Sequence, residues 1–205
     1  EVYSHAIEGA NIAVIEGVRG LYEGLSATSD IGSTAQIAKL LDCPVILVIN
    51  ARSITRSTAA LVSGYKSFDP GVNIVGVILN NIGSSRHADK AREAIETYTG
   101  TPVIGEIPRN DSMRISMRHL GLIPALEGRR KLADFDENLG KIKNIIKEGI
   151  DIERLISLAG RAQPVIKPTE DIFKPAASKD NVRLGVALDE AFNFYYRDNL
   201  DLLEL

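Results

Sequence analysis

Short apolar runs alternate with amphipathic stretches along the first two thirds of the chain. Four runs rich in β-branched residues predict strands: NIAVIE, PVILVIN, NIVGVILN and PVIGEI. Three stretches between them predict helices: STAQIAKLL, RSTAALVSGYK and HADKAREAIETY. Because the second and third runs are apolar nearly throughout, they are typical of strands buried on both faces. This order predicts an α/β fold with a mostly parallel sheet flanked by helices.

Polar or glycine-containing segments follow three of the predicted strands. Ligands of parallel α/β sheets bind beyond the carboxyl ends of the strands. We therefore expect the functional residues in three loops, which are residues 16–31, 50–55 and 80–85.

The pattern changes after residue 109. Residues 134–147 and 151–159 predict two helices, and a proline-rich segment without sustained periodicity then has the composition of a linker. The final stretch, VRLGVALDEAFNFYYRDNLDLLEL, predicts a strand, a loop and a helix capped by Asp198 or Asn199. Because one strand and one helix cannot bury a core, we interpret them as the start of a second α/β domain.

Charge and apolar content limit the classes of function. The 205 residues include 24 Lys and Arg and 27 Asp and Glu, a net charge of −3, and the basic residues form no stripe. No apolar run approaches the roughly 18 residues of a membrane span, and residues 1–12 do not resemble a signal peptide. We therefore expect neither nucleic acid nor a membrane as partner, and we expect a cytoplasmic location.

Cysteine and histidine give no pattern typical of catalysis or metal binding. Cys43 is the single cysteine and precedes a buried strand, so we predict a core residue rather than a nucleophile. His5, His87 and His119 lack the close spacing of a metal site.

Two carboxylates, Glu16 and Glu23, lie in the glycine-punctuated loop that follows the first predicted strand. A carboxylate at a strand end, followed by glycines, suits a magnesium ion that bridges nucleotide phosphates. Two solvated glutamates on a surface loop are the alternative. Because Glu16 ends a run expected in the centre of the sheet, an unpaired carboxylate there would be costly, which favours the metal.

Four further polar residues have both a functional and a structural interpretation. Ser33 and Thr34 begin a predicted helix, where they can approach an anionic group of a substrate or cap the helix. Arg52 and Arg56 follow a strand end, where they can contact acidic groups of a substrate or remain solvated.

Five linked blocks carry a family resemblance: EGVRGLYEG, GSTAQIAKLLDCPVILVINAR, VNIVGVILNNIGSSRHADKAREAIE, HLGLIP and AFNFYYRDNLDLLE. In this order they resemble the family of cobyrinate a,c-diamide synthase and Ni-sirohydrochlorin a,c-diamide synthase, almost end to end. The resemblance implies a glutamine amidotransferase with a dethiobiotin-synthetase-like ATP domain of the P-loop NTPase type and a C-terminal glutaminase domain. Residues 1–160 would be the synthetase domain for ATP and substrate, 161–180 a linker, and 181–205 the beginning of the glutaminase domain.

The chemistry implied by the resemblance is that of an ATP-dependent carbon–nitrogen ligase of cobalamin biosynthesis. ATP with Mg²⁺ would phosphorylate an acetate side chain of a tetrapyrrole, and ammonia from glutamine would displace the phosphate to leave an amide. Catalysis of this kind depends on bringing anions together and neutralising them.

The resemblance also implies roles for individual residues. Glu16 matches a strand-end glutamate that binds magnesium, and Glu23 with Tyr22 is expected on the substrate side. The family usually has aspartate where Glu23 stands, so the charge is kept and the geometry changes. Asn80 matches the residue that reads the adenine edge, and Pro108 is expected against the same base. Without the resemblance, Asn80 would be interpreted as a residue that shapes a turn.

Two features of the family do not occur in this sequence. A P-loop of the form G-x-x-x-x-G-K-[ST] is not found, and neither is the cysteine and histidine pair of a glutaminase domain. We therefore interpret the sequence as N-terminally incomplete and expect this chain alone to be inactive.

Three functions remain open on the sequence. The favoured one is part of the diamide synthase, and the alternatives are a partition-type ATPase switch of the same superfold or a non-catalytic scaffold module. The sequence does not distinguish a cobalt corrinoid from nickel sirohydrochlorin as substrate. It also leaves the oligomeric state open, and a homo-oligomer is compatible with it.

Overall fold

The computed structural model describes residues 1–110, 113, 117–118, 121–122, 125–165, 169, 172–174, 183–189 and 191–205. Two compact units divide the chain. The larger comprises Ile15–Arg114 and Glu137–Gln163, and the smaller comprises Glu1–Val14, Ile115–Asp136 and Pro164–Leu205.

The described elements alternate between helix and strand over residues 34–108. In chain order they are α1 (Val2–Ala6), α2 (Thr34–Leu40), β1 (Val45–Asn50), α3 (Ser57–Phe68), β2 (Ile74–Ile82), α4 (Ser85–Thr99), β3 (Val103–Pro108), β4 (Met117–Arg118), β5 (Gly121–Leu122), α5 (Ala125–Lys131), α6 (Phe135–Gly149), α7 (Ile152–Ala159) and α8 (Arg197–Glu204).

The main sheet lies in the larger unit and is parallel. Its order is β1-β2-β3, with α3 connecting the first pair of strands and α4 connecting the second. In the register of the sheet Asn50 pairs with Asn80, and Ile82 pairs with Pro108. The carboxyl ends of all three strands therefore meet at one edge, and the predicted parallel α/β fold is confirmed.

Both faces of β2 are buried, as its uninterrupted apolar sequence predicts. Val77 and Leu79 belong to the core that the sheet forms with α2, α3 and α4. Ile78 points to the opposite face, where Ile104 and Leu158 complete a second core with α6 and α7. Because successive side chains of a strand alternate between faces, a strand with helices on both sides is apolar on both faces, as residues 74–79 of β2 are.

Helix α4 has its start and end determined locally. The Ser84 hydroxyl accepts the backbone N–H of His87 at 3.2 Å, which satisfies one of the free donors of the first turn. Gly100 ends the helix with φ of 65°, a left-handed conformation that glycine adopts without strain. Ala91 and Ile95 lie on the buried face, four residues apart, so the helix presents one apolar stripe to the sheet.

The prediction of a strand over NIAVIE is wrong. Residues 12–18 have no regular secondary structure, and Val14 is 89% exposed. A strand needs a hydrogen-bonded neighbour, and none of the described strands pairs with this run. Glu16 consequently does not end a buried strand and is exposed to solvent.

The helices of the last third are confirmed, whereas one strand and one cap are not. Helices α6 and α7 form as predicted, and the Asp151 side chain caps α7 by accepting the N–H of Arg154 at 2.9 Å. Residues 183–188, predicted as a strand, have no regular structure. Helix α8 forms, but it begins at Arg197 without a side-chain cap, so the prediction of Asp198 or Asn199 as its cap is wrong. Most of the predicted linker, 161–180, lies outside the described residues.

Candidate functional site

Asparagines line the carboxyl edge of β1 and β2. The Asn50 Oδ1 accepts the Nδ2–H of Asn81 at 3.0 Å, and the Asn80 Oδ1 accepts the backbone N–H of Asn81 at 2.9 Å. The backbone N–H of Ala51 also donates to the carbonyl of Asn80 at 2.8 Å. Asn81 has φ of 61°, a conformation that asparagine tolerates better than most residues. Side chains and backbone therefore fix the ends of both strands.

The Asn80 amide keeps part of its hydrogen-bonding capacity. Its half-buried side chain has one oxygen lone pair and both Nδ2 donors without a protein partner among the described residues. Because the N–H of Asn81 needs an acceptor, the oxygen is the atom that faces it, and the amide orientation is assigned on that basis. An adenine edge offers one donor beside one acceptor, which matches what the amide has left. Asn80 therefore shapes the turn, as predicted, and the rest of its hydrogen-bonding capacity is available to a ligand.

Pro108 and Arg52 lie beyond the same edge. Pro108 ends β3 with its ring exposed, and the following N–H, that of Arg109, donates to the carbonyl of Ile82 at 2.8 Å. The side chain of Arg52 is exposed, and its backbone N–H donates to the Asn50 Oδ1 at 3.2 Å. The structure thus brings Asn80, Pro108 and Arg52 to one edge of the sheet.

Arg56 is less available than Arg52. Its Nη2 donates to the Tyr98 hydroxyl at 2.7 Å, and its guanidinium lies 5.0 Å from the centre of that ring. This combination of a hydrogen bond and a cation–π contact ties Arg56 to α4.

The loop that carries Glu16 is attached to the start of α2. The backbone N–H of Val18 donates to the Thr34 Oγ1 at 3.0 Å. A Cβ added to Gly17 would stand 2.9 Å from the Thr34 Cγ2. The backbone of the loop approaches Thr34 so closely that glycine is favoured at this position. The Glu16 and Glu23 side chains are exposed and have no hydrogen-bond or ion-pair partner among the described residues. Both carboxylates are therefore available to a ligand, and no such contact joins them to Asn80.

Ser33 caps α2. Its side chain is buried, and its Oγ accepts the N–H of Gln36 at 3.1 Å. The capping role predicted for Ser33 is therefore the one that the geometry supports, and contact with a substrate stays a prediction. The Gln36 side chain in turn accepts the N–H of Gly32 at 2.7 Å, which closes the loop onto the helix.

Tyr22 packs at the carboxyl end of α3. Its hydroxyl donates to the carbonyl of Tyr65 at 2.6 Å, and its ring contacts the rings of Tyr65 and Phe68. Burial raises the pKa of the Tyr22 phenol, and the carboxylate of Asp69 raises it further. The Tyr22 hydroxyl is the hydrogen-bond donor for one of the last four carbonyls of α3, which have no partner within the helix. A hydrogen bond from Tyr22 to substrate, as predicted, would compete with this bond.

Tyr22→Phe should lower the free energy of unfolding by about 1 kcal/mol, because the Tyr65 carbonyl loses its partner while the ring packing stays. Urea denaturation measures this change. Tyr98→Phe, which removes an exposed hydroxyl–guanidinium bond, is the control and should cost less. Equal losses in the two variants would contradict a structural role for the Tyr22 hydroxyl.

Lys39 links the end of the 16–31 loop to the end of α3. Its ammonium lies 2.8 Å from the Asp30 Oδ2 and 2.5 Å from the Asp69 Oδ2. Hydrogen bonds from Lys39 hold the pKa of both carboxyls below their usual range, and the N–H of Gly71 adds to this at Asp69. The two carboxylates together raise the pKa of Lys39.

These shifts predict an acid-dependent loss of stability. A carboxyl with a lowered folded pKa stabilises the fold above its unfolded pKa of about 3.9, and the contribution disappears as the pH falls through the folded value. Lys39→Met should therefore flatten the decrease in unfolding free energy between about pH 5 and pH 2. Lys66→Met is the matched control, because Lys66 donates to the Thr99 carbonyl and the Thr101 hydroxyl. An unchanged acid slope in Lys39→Met would contradict the linkage.

Cys43 is half-buried and belongs to neither apolar core, so the prediction of a core residue is wrong. Burial raises the pKa of its thiol, and the carboxylate of Asp42 raises it further. Because the thiolate is the reactive form, this environment lowers the reactivity of Cys43.

Sequence reasoning missed Asn50 and His87 as residues that organise the carboxyl edge. The signal for Asn50 was its position at the end of the strand that precedes the one ending near Asn80. His87 had no such signal, because its partners come from two different loops.

Comparison with known proteins identifies the family. Residues 3–115, more than half of the chain, match the family model of an AAA domain. A cobyrinate a,c-diamide synthase from Methanosarcina acetivorans is 66% identical over 212 residues, which cover 100% of this chain and 43% of the relative. The chain belongs to the cobyrinate a,c-diamide synthase family and contains an AAA domain. The resemblance found in the sequence is thereby confirmed.

Other members of the family match the chain over the same extent. The cobyrinate a,c-diamide synthase of Methanosarcina barkeri is 62% identical and that of Methanobrevibacter smithii is 49% identical, each over 100% of this chain. These alignments cover 43% and 44% of the relatives, so the chain spans less than half of their length. No solved structure matches the chain. Among the described residues, no helix combines the length and the apolar character that crossing a membrane requires.

Proposed function

We propose that the chain is part of the ATP-dependent synthetase domain of an a,c-diamide synthase that converts acetate side chains of a tetrapyrrole into amides. The observation that carries the proposal is the match of the whole chain, at 66% identity, to a protein named cobyrinate a,c-diamide synthase. The AAA-domain match and the polar carboxyl edge of the sheet support a nucleotide-dependent reaction. Cobyrinate and Ni-sirohydrochlorin are the candidate substrates.

The reaction that we propose has two steps. An oxygen of the substrate carboxylate attacks the γ-phosphorus of ATP, ADP leaves, and an acyl phosphate forms. Ammonia derived from glutamine then attacks the acyl carbon and forms the carbon–nitrogen bond. The bond from that carbon to the bridging phosphate oxygen breaks, inorganic phosphate leaves, and the nitrogen loses a proton to give the amide. The protein contributes by holding two anions in line and by neutralising the charge that develops between them.

The nucleotide base is assigned to Asn80 and Pro108. The Asn80 amide has one acceptor position and two donors left, which is what an adenine edge requires. Pro108 presents an exposed ring from the next strand, and a flat apolar surface suits the face of a base. Arg52 is assigned to an anionic group of the substrate because its guanidinium is exposed at the same edge.

The loop of residues 16–31 is assigned to metal and substrate. The exposed Glu16 carboxylate has the hard oxygen ligands that Mg²⁺ prefers, and it has no competing partner among the described residues. Magnesium, when bound, would neutralise the phosphate charge and orient the leaving group. Glu23, with Tyr22 on the same loop and Ser33 at the start of α2, is assigned to the tetrapyrrole side. The hydroxyls of Tyr22 and Ser33 already serve the fold, so Glu23 is the strongest substrate-facing candidate of the three.

An amidation assay on the full-length protein tests the proposal. Purified protein is incubated with glutamine, ATP and magnesium, and with cobyrinate or Ni-sirohydrochlorin, and the mono- and diamides are detected by mass spectrometry. ATP hydrolysis without amide formation would favour the partition-type ATPase switch. Neither hydrolysis nor amide formation would favour the scaffold module.

The 205-residue chain by itself should bind ATP weakly. Its sequence contains no P-loop, so the backbone N–H cradle and the lysine that hold nucleotide phosphates are not supplied by these residues. Isothermal titration calorimetry with ATP and magnesium should give a dissociation constant well above about 10 μM, which corresponds to less than about 7 kcal/mol of binding free energy. Micromolar affinity would overturn this expectation.

A further inference from the structure

The His87 side chain bridges the two loops that follow β1 and β2. From the first turn of α4, its Nδ1 accepts the backbone N–H of Gly83 at 3.2 Å. Its Nε2 lies 2.6 Å from the carbonyl oxygen of Ile54, a residue 33 positions away in the sequence. One half-buried ring therefore connects the loop of residues 51–56 with the loop of residues 83–84.

The two partners determine the protonation state of the ring. The Gly83 N–H can only donate, so Nδ1 has to be the unprotonated nitrogen, and the Ile54 carbonyl can only accept, so Nε2 carries the proton. The neutral Nε2–H tautomer is the one form of imidazole that satisfies both bonds. The backbone of His87 is itself fixed, because its N–H donates to the Ser84 cap at 3.2 Å.

Left-handed backbone conformations occur in one of the bridged loops and in β2, just before the other loop. Ser53 has φ of 62° beside Arg52, and Asn81 has φ of 61° beside Asn80. Left-handed conformations of residues other than glycine cost free energy and persist where surrounding contacts over-determine them. The bridge through His87 is a contact of this kind, since it ties the loop that contains Ser53 to the segment that follows Asn81.

We propose that His87, as the neutral Nε2–H tautomer, is a positioning residue that fixes the loop carrying Arg52 against the loop following Asn80. The inference deepens the proposed function, on which it rests for the roles of Arg52 and Asn80. His87 itself touches neither nucleotide nor substrate. It sets the distance between the side chain assigned to the base and the side chain assigned to the substrate anion.

Nuclear magnetic resonance of the 205-residue chain tests the bridge without any ligand. Long-range nitrogen–proton correlations of the histidine rings report the tautomer, and the His87 ring is assigned through its own backbone. The expected result is one neutral Nε2–H form at pH 7.5. A dominant Nδ1–H form, or a rapidly exchanging mixture of tautomers, would overturn the proposal.

Three variants separate the two bonds. The Oδ1 of His87→Asn stands where Nδ1 was and can still accept the Gly83 N–H, whereas the Nε2–H of His87→Gln stands where the ring Nε2 was and can still donate to Ile54. Hydrogen exchange of the Gly83 amide should be at least about threefold faster in His87→Ala and His87→Gln, and nearly unchanged in His87→Asn. Equal exchange in all three variants would overturn the proposal.

Kinetics of the full-length protein test the positioning role. His87→Ala should raise the KM for the tetrapyrrole about threefold to tenfold and change kcat by less, because a displaced loop moves Arg52, which is assigned to the substrate anion, and weakens ground-state binding. Tyr98→Phe is the matched control: it removes another bond between α4 and the residues after β1, and it should leave the KM unchanged. Equal effects in the two variants would overturn the positioning role. If the wild-type protein forms no amide, the proposed function is wrong. The tautomer and hydrogen-exchange results would still show whether His87 forms the two hydrogen bonds of the bridge.

Discussion

Glu16→Gln should remove most of the amidation activity of the full-length protein, on the order of a hundredfold in rate at ordinary magnesium concentration. The magnitude follows from the cost of disturbing a metal site, where even an outer-shell substitution costs about tenfold to a hundredfold. High magnesium should restore part of the rate, because the lost interaction is chiefly metal affinity. Steady-state rates across a magnesium series measure both effects.

Glu23 provides the contrast within the same loop. Glu23→Gln should lower amidation without any rescue by magnesium, because a group that positions substrate or handles a proton is not titrated by the metal. Glu23→Asp introduces the residue that the resemblance implies at this position and should retain activity. Both glutamates are exposed in the structure, so neither substitution is expected to disturb the core.

Two results would contradict this division of roles. Identical magnesium responses of Glu16→Gln and Glu23→Gln would mean that the two carboxylates have the same role in the reaction. Rates near those of the wild type in both variants would leave them as solvated glutamates of a surface loop, which is the alternative that the sequence kept open.

Asn80→Ala should raise the KM for ATP about tenfold or more and weaken the discrimination between ATP and GTP. A site that reads a base through a paired donor and acceptor loses about 1–3 kcal/mol of discrimination when the reading group is removed. Initial rates with each nucleotide, at saturating tetrapyrrole and glutamine, measure the two ratios of kcat to KM.

The control for Asn80→Ala is the neighbouring asparagine. Asn81→Gly keeps the left-handed backbone at φ of 61° and removes the side-chain bond to Asn50. If Asn80 acts only by shaping the turn, both variants should have similar kinetics. If Asn80 reads the base, Asn81→Gly should retain the preference for ATP.

The helices and the parallel sheet could be predicted because their signals are local. The continuous apolar sequence of β2 predicted burial on both faces, and the structure has a separate core on each side of that strand. The helix predicted over residues 151–159 forms as α7, and the structure shows Asp151 as its cap. The cap predicted for α8 was wrong, because that helix begins at Arg197 without a side-chain cap.

The candidate site could be predicted in part. Asn80 and Pro108 were expected at one edge, and parallel pairing brings their strand ends there, since the carboxyl ends of neighbouring parallel strands coincide. The loop of residues 16–31 was expected to start from a strand, and it does not. The resemblance to the family assigned roles to single residues, and those roles stay predictions.

What the sequence determined by itself is the alternation of strands and helices, their approximate limits, the parallel sheet and the polar character of its carboxyl edge. What only the tertiary structure decided is which groups from distant parts of the chain form hydrogen bonds and strand pairs with one another. Tyr22 donates to a carbonyl 43 residues away, and His87 connects two loops by bonds to Gly83 and Ile54. The apolar run NIAVIE has the composition of a strand and is exposed, since no described strand pairs with it. Periodicity is set by a residue's near neighbours, whereas strand pairing and side-chain hydrogen bonds depend on groups that folding brings together from distant parts of the chain.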